Sequence, residues 1–174
     1  MWKTRTPAML AIGAMTLTIG TTGPALGQSA CVPVKGKITN TFIANGGTLG
    51  VVALIYGKKK EAKLKCGLVG QPQALPPGAD IAFIHIISCD DTTDTPQGPL
   101  HSSIWMYTTG NVLPPTPGVA GQVATFEEMS IPLPGGPAPT GIFAGATSDS
   151  RLFVDGAFYQ TGAIDMEFEG QVCK

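Results

Sequence analysis

Histidine, charge and helical patterning are all scarce in this chain, and each shortage narrows what it can do. Only His85 and His101 occur in 174 residues. Two are too few for a histidine-rich metal centre, leaving only a mixed site with Asp or Glu open. Charged residues make up 13% of the chain and gather in no basic patch large enough for nucleic acid. No long amphipathic helix can be read anywhere. The motifs GxSxG, HExxH and CxxC are absent, and with them the local signatures of common hydrolases, metalloproteases and thiol redox enzymes. A phosphate cradle is also missing, because no glycine loop runs into a helix whose amides could face an anion.

What is present begins with an export pattern. Lys3 and Arg5 precede an uncharged, mostly apolar stretch from Ala8 to Gly20, and Ala25-Leu26-Gly27 supplies small residues before Gln28. This predicts a signal peptide over residues 1–27. A retained anchor is the alternative, but the stretch falls short of the roughly 20 apolar residues a spanning helix needs. Without Lys3 and Arg5 the eleven basic residues become nine against twelve acidic, a net charge of −3. The remaining 147 residues form one domain, able to bury about two thirds of its unfolded surface.

Four cysteines in an exported chain favour two disulfides. Of the three pairings, Cys31–Cys173 with Cys66–Cys89 is preferred, since it suits a fold whose first and last strands lie side by side. A four-thiolate metal site is the rival, and it lacks any close cysteine pair.

The 23 glycines and 15 prolines punctuate short apolar runs, an all-β signature. In VKGKITNTFI (residues 34–43), Ile38, Asn40 and Phe42 share one face. Asn45-Gly46-Gly47 turns the chain into a second strand, Thr48 to Tyr56. Leu64, Cys66 and Leu68 alternate with Lys63, Lys65 and Gly67, which places Cys66 inward. DIAFIHIISC (80–89) and HSSIWMYT (101–108) read as strands; QVATFEEMSI (122–131) fits a strand or a short helix, and its Val-Ala-Thr-Phe start favours the strand. GQPQALPPG (70–78), NVLPPTPG (111–118) and PLPGGPAPTG (132–141) read as proline-stiffened loops. Ile142–Thr147, Leu152–Tyr159 and Ala163–Val172 complete eight or nine strands. An eight-stranded antiparallel β-barrel is expected, with a two-sheet β-sandwich as the alternative.

The run Gly141-Ile142-Phe143-Ala144-Gly145-Ala146-Thr147, with Gly156 beyond it, resembles the GxFxGAT…G pattern of the allene oxide cyclase and dirigent-like β-barrel superfamily. The closing IDMEFEGQVC (164–173) is similar to the final strand of its small secreted bacterial members. The similarity covers about the last third of the exported chain. It implies an eight-stranded antiparallel barrel, often oligomeric, with a pocket on its axis. Plant members isomerise oxidised fatty acids or steer phenol coupling. The long proline loops and four cysteines depart from a minimal barrel, and no residue matches carry either activity onto this chain. Read physically, Gly141, Gly145 and Gly156 permit tight bends and close strand approach.

Candidate chemistry is sparse. His85 shares a face with Ile81, Phe83 and Ile87, as a core histidine or as a pocket acid–base. Asp90, Asp91 and Asp94 offer closely spaced oxygens but lack the EF-hand spacing, and read as a solvated turn. Glu127 and Glu128 point opposite ways on a strand, so they form no facing carboxylate pair. Asp165, Glu167 and Glu169 form an acidic stripe on a solvated face. Lys58-Lys59-Lys60 with Lys63 and Lys65 reads as a solvated face, or as a docking surface for an acidic partner or anionic glycan. Ser102 beside His101 and Ser148 beside Asp149 are coincidences of common residues. Trp105 and Tyr107 alternate with Ile104 and Met106, so both faces of that strand are apolar, and the outward one needs a cover.

The expectation is a secreted or periplasmic, non-catalytic structural or protein-interaction module, with a protein partner or self-association, no cofactor and no metal. The rivals are a barrel binding a small apolar ligand near His85, Phe83, Trp105 and Tyr107, and an isomerase-like enzyme on a lipid-derived substrate.

Overall fold

The computed structural model of the chain describes residues 30–57, 62–91 and 100–174. The expected signal peptide (residues 1–27), Lys58 to Lys60 and Asp94 lie outside them. Eight strands follow in order: β1 (Cys31–Phe42), β2 (Thr48–Tyr56), β3 (Ala62–Pro72), β4 (Ile81–Asp91), β5 (Leu100–Leu113), β6 (Gln122–Pro132), β7 (Arg151–Tyr159) and β8 (Ala163–Cys173). Each pairs antiparallel with the next, and β8 returns to pair with β1, closing an eight-stranded barrel. Closure removes both sheet edges. The barrel is the expected architecture, and the sandwich is not formed.

Alternation decides which side of each strand faces the axis. On β3, Leu64, Cys66 and Leu68 are buried while Lys63, Lys65 and Gly67 are exposed. On β8, Ile164, Met166 and Phe168 are buried while Asp165, Glu167 and Glu169 are exposed. The inward residues merge into one core. Charged side chains on the outside and apolar ones within are the reverse of a membrane-spanning barrel. Among the described residues, no helix is long and apolar enough to cross a membrane.

Inward-facing glycines let this interior fill. Gly36 on β1 lies under the Phe168 ring, where an added Cβ would come within 2.6 Å of it. Gly156 on β7 lies under Phe126, with the corresponding approach 2.2 Å. Each missing side chain is the space a ring occupies across the pair.

The two ends differ. Toward one lie the start of β1, the end of β8 and both disulfides, Cys31–Cys173 and Cys66–Cys89. Each joins residues directly opposite in the ladder. The expected strand Ile142–Thr147 is instead a pair of tight turns across this end. With the ring of strands already closed, the segment has no edge to join. Gly141 and Gly145 adopt positive φ, of 58° and 80°, which a branched residue resists. The turn drops Phe143 into the core, edge-on to Tyr56 at 6.4 Å. Ile142 N–H donates to Ser102 Oγ, and Cys173 N–H to Ser150 Oγ. Two expected loops are also shorter than read: β3 runs to Pro72 and β5 to Leu113, because Phe83 and Thr125 stand opposite to pair with them.

Cys31 and Cys173 are 142 residues apart. In a chain-entropy account a loop of that size contributes about 5 kcal/mol, against about 3 kcal/mol for the short loop of Cys66–Cys89. Replacing Cys31 and Cys173 by Ser should therefore lower urea-unfolding stability by several kcal/mol while leaving the β spectrum intact. An unchanged unfolding midpoint would show that the β1–β8 ladder needs no covalent closure.

Candidate functional site

The interior turns polar at the end away from the disulfides. Asn40 (β1), Thr48 (β2), His85 (β4), Thr108 (β5), Glu128 and Ser130 (β6) are all buried. The register brings them together: Thr48 stands opposite Gly70, and Gly70 opposite His85. An added Cβ at Gly70 would fall 2.2 Å from Thr48 Oγ1 and 3.0 Å from His85 Nε2, so Thr48 and His85 meet over this glycine. Gly110 leaves similar room for Glu128, whose Cγ lies 2.8 Å from the position of a Cβ there.

A hydrogen-bonded chain crosses this floor. His85 Nδ1 and Thr108 Oγ1 are 3.0 Å apart, and Thr108 Oγ1 and Ser130 Oγ 2.7 Å. Phe83 stacks on the His85 ring at 5.4 Å, with 4° between the planes. Phe158 stacks on Phe126 at 4.5 Å and on Phe42 at 5.8 Å. These rings cap the end, and Phe42 is the one open to solvent.

Beneath them are two cavities of about 20 Å³ each. His85, Glu128 and Met166 line both. Asn40 Nδ2, Thr48 Oγ1 and Glu128 Oε2 are buried with no hydrogen-bond partner among the described residues. All three side chains line the cavity under the aromatic cap. Each cavity has the volume of about one water molecule.

Burial sets the protonation states. Desolvation pushes the Glu128 carboxyl up to about 7 and the His85 imidazole down to about 4. Both groups are therefore held in their uncharged forms near mild acidity. An acid and a base with opposed shifts lie on one cavity, an arrangement able to donate and accept a proton. No other ionisable residue lines either cavity.

Of the residues expected near a pocket, the structure brings His85 and Phe83 to this site. Trp105 and Tyr107 are half-buried on the outer wall, because the inward positions of β5 belong to Ile104, Met106 and Thr108. There Trp105 stands opposite Ile86, and Tyr107 between Ile84 and Ile131. Sequence reasoning missed Glu128, Asn40 and Thr48 as pocket residues. The signal was the alternation Phe126, Glu128, Ser130, which carries a carboxyl inward with its phenylalanine. Elsewhere His101 Nδ1 pairs with Asp90 Oδ1 at 2.8 Å in the open. Among the described residues, no group of three or more His, Cys, Asp or Glu could hold a metal ion.

The outer wall carries a second feature, an open groove of about 820 Å³ over β1, β2, β3, β7 and β8. Lys35, Lys37, Lys63 and Lys65 form one flank, Asp155, Glu167 and Glu169 the other, with Ala53 and Ile55 between the lysines. Lys37 Nζ and a Glu167 carboxylate oxygen meet at 2.5 Å where the flanks join.

No protein-family model, curated protein or solved structure matches this chain.

The shifts of Glu128 and His85 have opposite signs in their effect on stability. Glu128 favours the fold fully below pH 4.5, and that contribution is lost as the pH rises to about 7. The His85 contribution is present above pH 6.5 and is lost as the pH falls to about 4. Between pH 4.5 and 6.5 the two slopes oppose. Glu128→Gln should remove the alkaline loss, making the variant more stable than the parent at pH 8 by up to about 3 kcal/mol. At pH 5 the gain should be much smaller, as measured by chemical denaturation. Equal effects at both pH values would show that Glu128 is ionised within the barrel.

Proposed function

We propose that the chain is an exported, non-catalytic structural or protein-interaction module that works through its outer wall. The observation that carries this reading is where the apolar surface lies. The interior is filled by its own side chains, and its three cavities lined by described residues hold only about 20, 10 and 20 Å³. Small-molecule sites are typically at least about 300 Å³. Large apolar side chains instead face outward: Val51 is 63% exposed, Phe153 55% and Leu49 50%. Leu49 and Val51 lie together on the outer face of β2, with Phe153 on β7 beyond β1 and β8, and exposed apolar surface of this kind marks faces that associate. The two disulfides and the export pattern of residues 1–27 support an oxidising, extracytoplasmic location, secreted or periplasmic.

A second reading is favoured by the unpartnered Asn40, Thr48 and Glu128 atoms: a small ligand seated under the aromatic cap. It requires the cap to open. The same polar floor is what an isomerase-like activity would use. Kinship with the allene oxide cyclase and dirigent-like superfamily remains a proposal, supported by the eight-stranded antiparallel barrel and by the GIFAGAT turn that closes one end.

Intact-mass and sedimentation measurements on the protein purified from its source test the main reading. The expected result is a processed chain with two disulfides, associated with protein and carrying no extractable small molecule. A monomer that releases a stoichiometric organic ligand would overturn it in favour of the pocket.

A further inference from the structure

We propose that a second copy of this chain docks on the seam between β1 and β8, related by a two-fold axis running along that seam. This deepens the interaction-module reading and rests on it, naming the partner and the surface.

The register supplies the geometry. Cross-strand partners place Ile55, Lys35, Glu169 and Phe153 in one outward row from β2 through β1 and β8 to β7. The next row is Ala53, Lys37, Glu167, Asp155, and the third is Val51, Thr39, Asp165, Ala157. Left of the seam the charges are positive, and right of it negative. A two-fold axis along the seam lays β1 of one copy against β8 of the other, and β2 against β7, keeping each row facing itself. Lys35 then faces Glu169 of the partner subunit, and Lys37, paired with Glu167 of its own chain, also faces Glu167 of the partner subunit, so charges of alternate sign surround the axis. In the first of these rows Ile55 meets Phe153 of the partner subunit. Each contact occurs twice, as an isologous interface requires.

Two independent features of the wall are explained together. The exposure of Phe153 ends in an apolar contact with Ile55 on each side of a charged stripe. The groove's division into a lysine flank and a carboxylate flank becomes self-complementary. An acidic peptide or anionic glycan would match only the lysine flank and would meet Asp155, Glu167 and Glu169 across the same groove. Electrostatic complementarity of this kind sets orientation and register as much as affinity.

The test uses charge reversal and mixing on the full, exported chain. The unmodified protein should sediment as a dimer at about 0.1 M salt and weaken by about tenfold or more toward 1 M, where the Debye length shrinks to about 3 Å. Lys35→Glu with Lys37→Glu makes both flanks acidic, and Glu167→Lys with Glu169→Lys makes both basic. Each double variant should be monomeric alone, and the two mixed should form a one-to-one heterodimer. All four side chains are exposed, but each double reversal removes the Lys37–Glu167 pair and sets like charges opposite across β1 and β8. Melting temperatures should therefore fall modestly, and a retained β spectrum shows that loss of the dimer is not loss of the fold. Phe153→Ser, which alters no charge, should weaken the dimer with its salt dependence kept.

A dimer that persists in both double variants would overturn the seam while leaving the interaction reading standing. An unmodified chain that stays monomeric at every salt, with no protein associated, would overturn both. A monomer that retains polyglutamate through Lys35 and Lys37 would assign the groove to an acidic partner instead.

Discussion

The barrel depends on steric complementarity between inward glycines and the side chains across from them. An eight-stranded ring encloses little space, and residues on all eight strands compete for it. Phe168 fits because Gly36 has no side chain, and Phe126 because Gly156 has none. Asn40 uses the gap at Gly50, Thr48 and His85 that at Gly70, and Glu128 that at Gly110. Glycine within a strand costs chain entropy and packing surface. That cost is offset by burying a ring or polar group without straining the ladder. The proposed function draws on the same constraint: an interior filled this way leaves water-sized gaps, which favours recognition at the outer wall.

The gaps are not distributed evenly. At the end bearing Cys31 and Cys173, two disulfides and the Phe143 plug bind the strands tightly, and the buried Ser102 and Ser150 hydroxyls accept hydrogen bonds from backbone amides. At the other end the glycine gaps hold polar groups, and stacked phenylalanines form the cover. Desolvation without a nearby counter-charge holds His85 and Glu128 neutral there. The pH response of these two groups is thereby placed at one end.

Much of this was legible in the sequence because a period of two is a direct record of inside and outside. Leu64, Cys66 and Leu68 against Lys63 and Lys65 fixed the facing of β3, and the stripe Asp165, Glu167, Glu169 fixed that of β8. The disulfide pairing was readable once first and last strands were assumed adjacent, and Cys31 does stand opposite Cys173. Three things were hidden. A Glu127-Glu128 doublet looks like surface, and only the register of β6 shows that one carboxyl is buried. Trp105 and Tyr107 look like pocket residues, because a strand with two apolar faces does not say which one is inside. The run from Ile142 to Thr147 has strand-like composition, and nothing local reveals that the ring closes without it. Each hidden feature is set by a neighbour distant in sequence.

The most direct test of the central claim is a double-mutant cycle between Gly156 and Phe126, read by equilibrium unfolding. Gly156→Ala alone should cost about 1–3 kcal/mol by overpacking. In a Phe126→Leu background, where the ring no longer fills the gap, most of that penalty should vanish as a coupling between the two sites. A Gly156→Ala cost that is the same in both backgrounds would mean that the glycine serves the backbone alone, and the account of how this barrel fills would be contradicted.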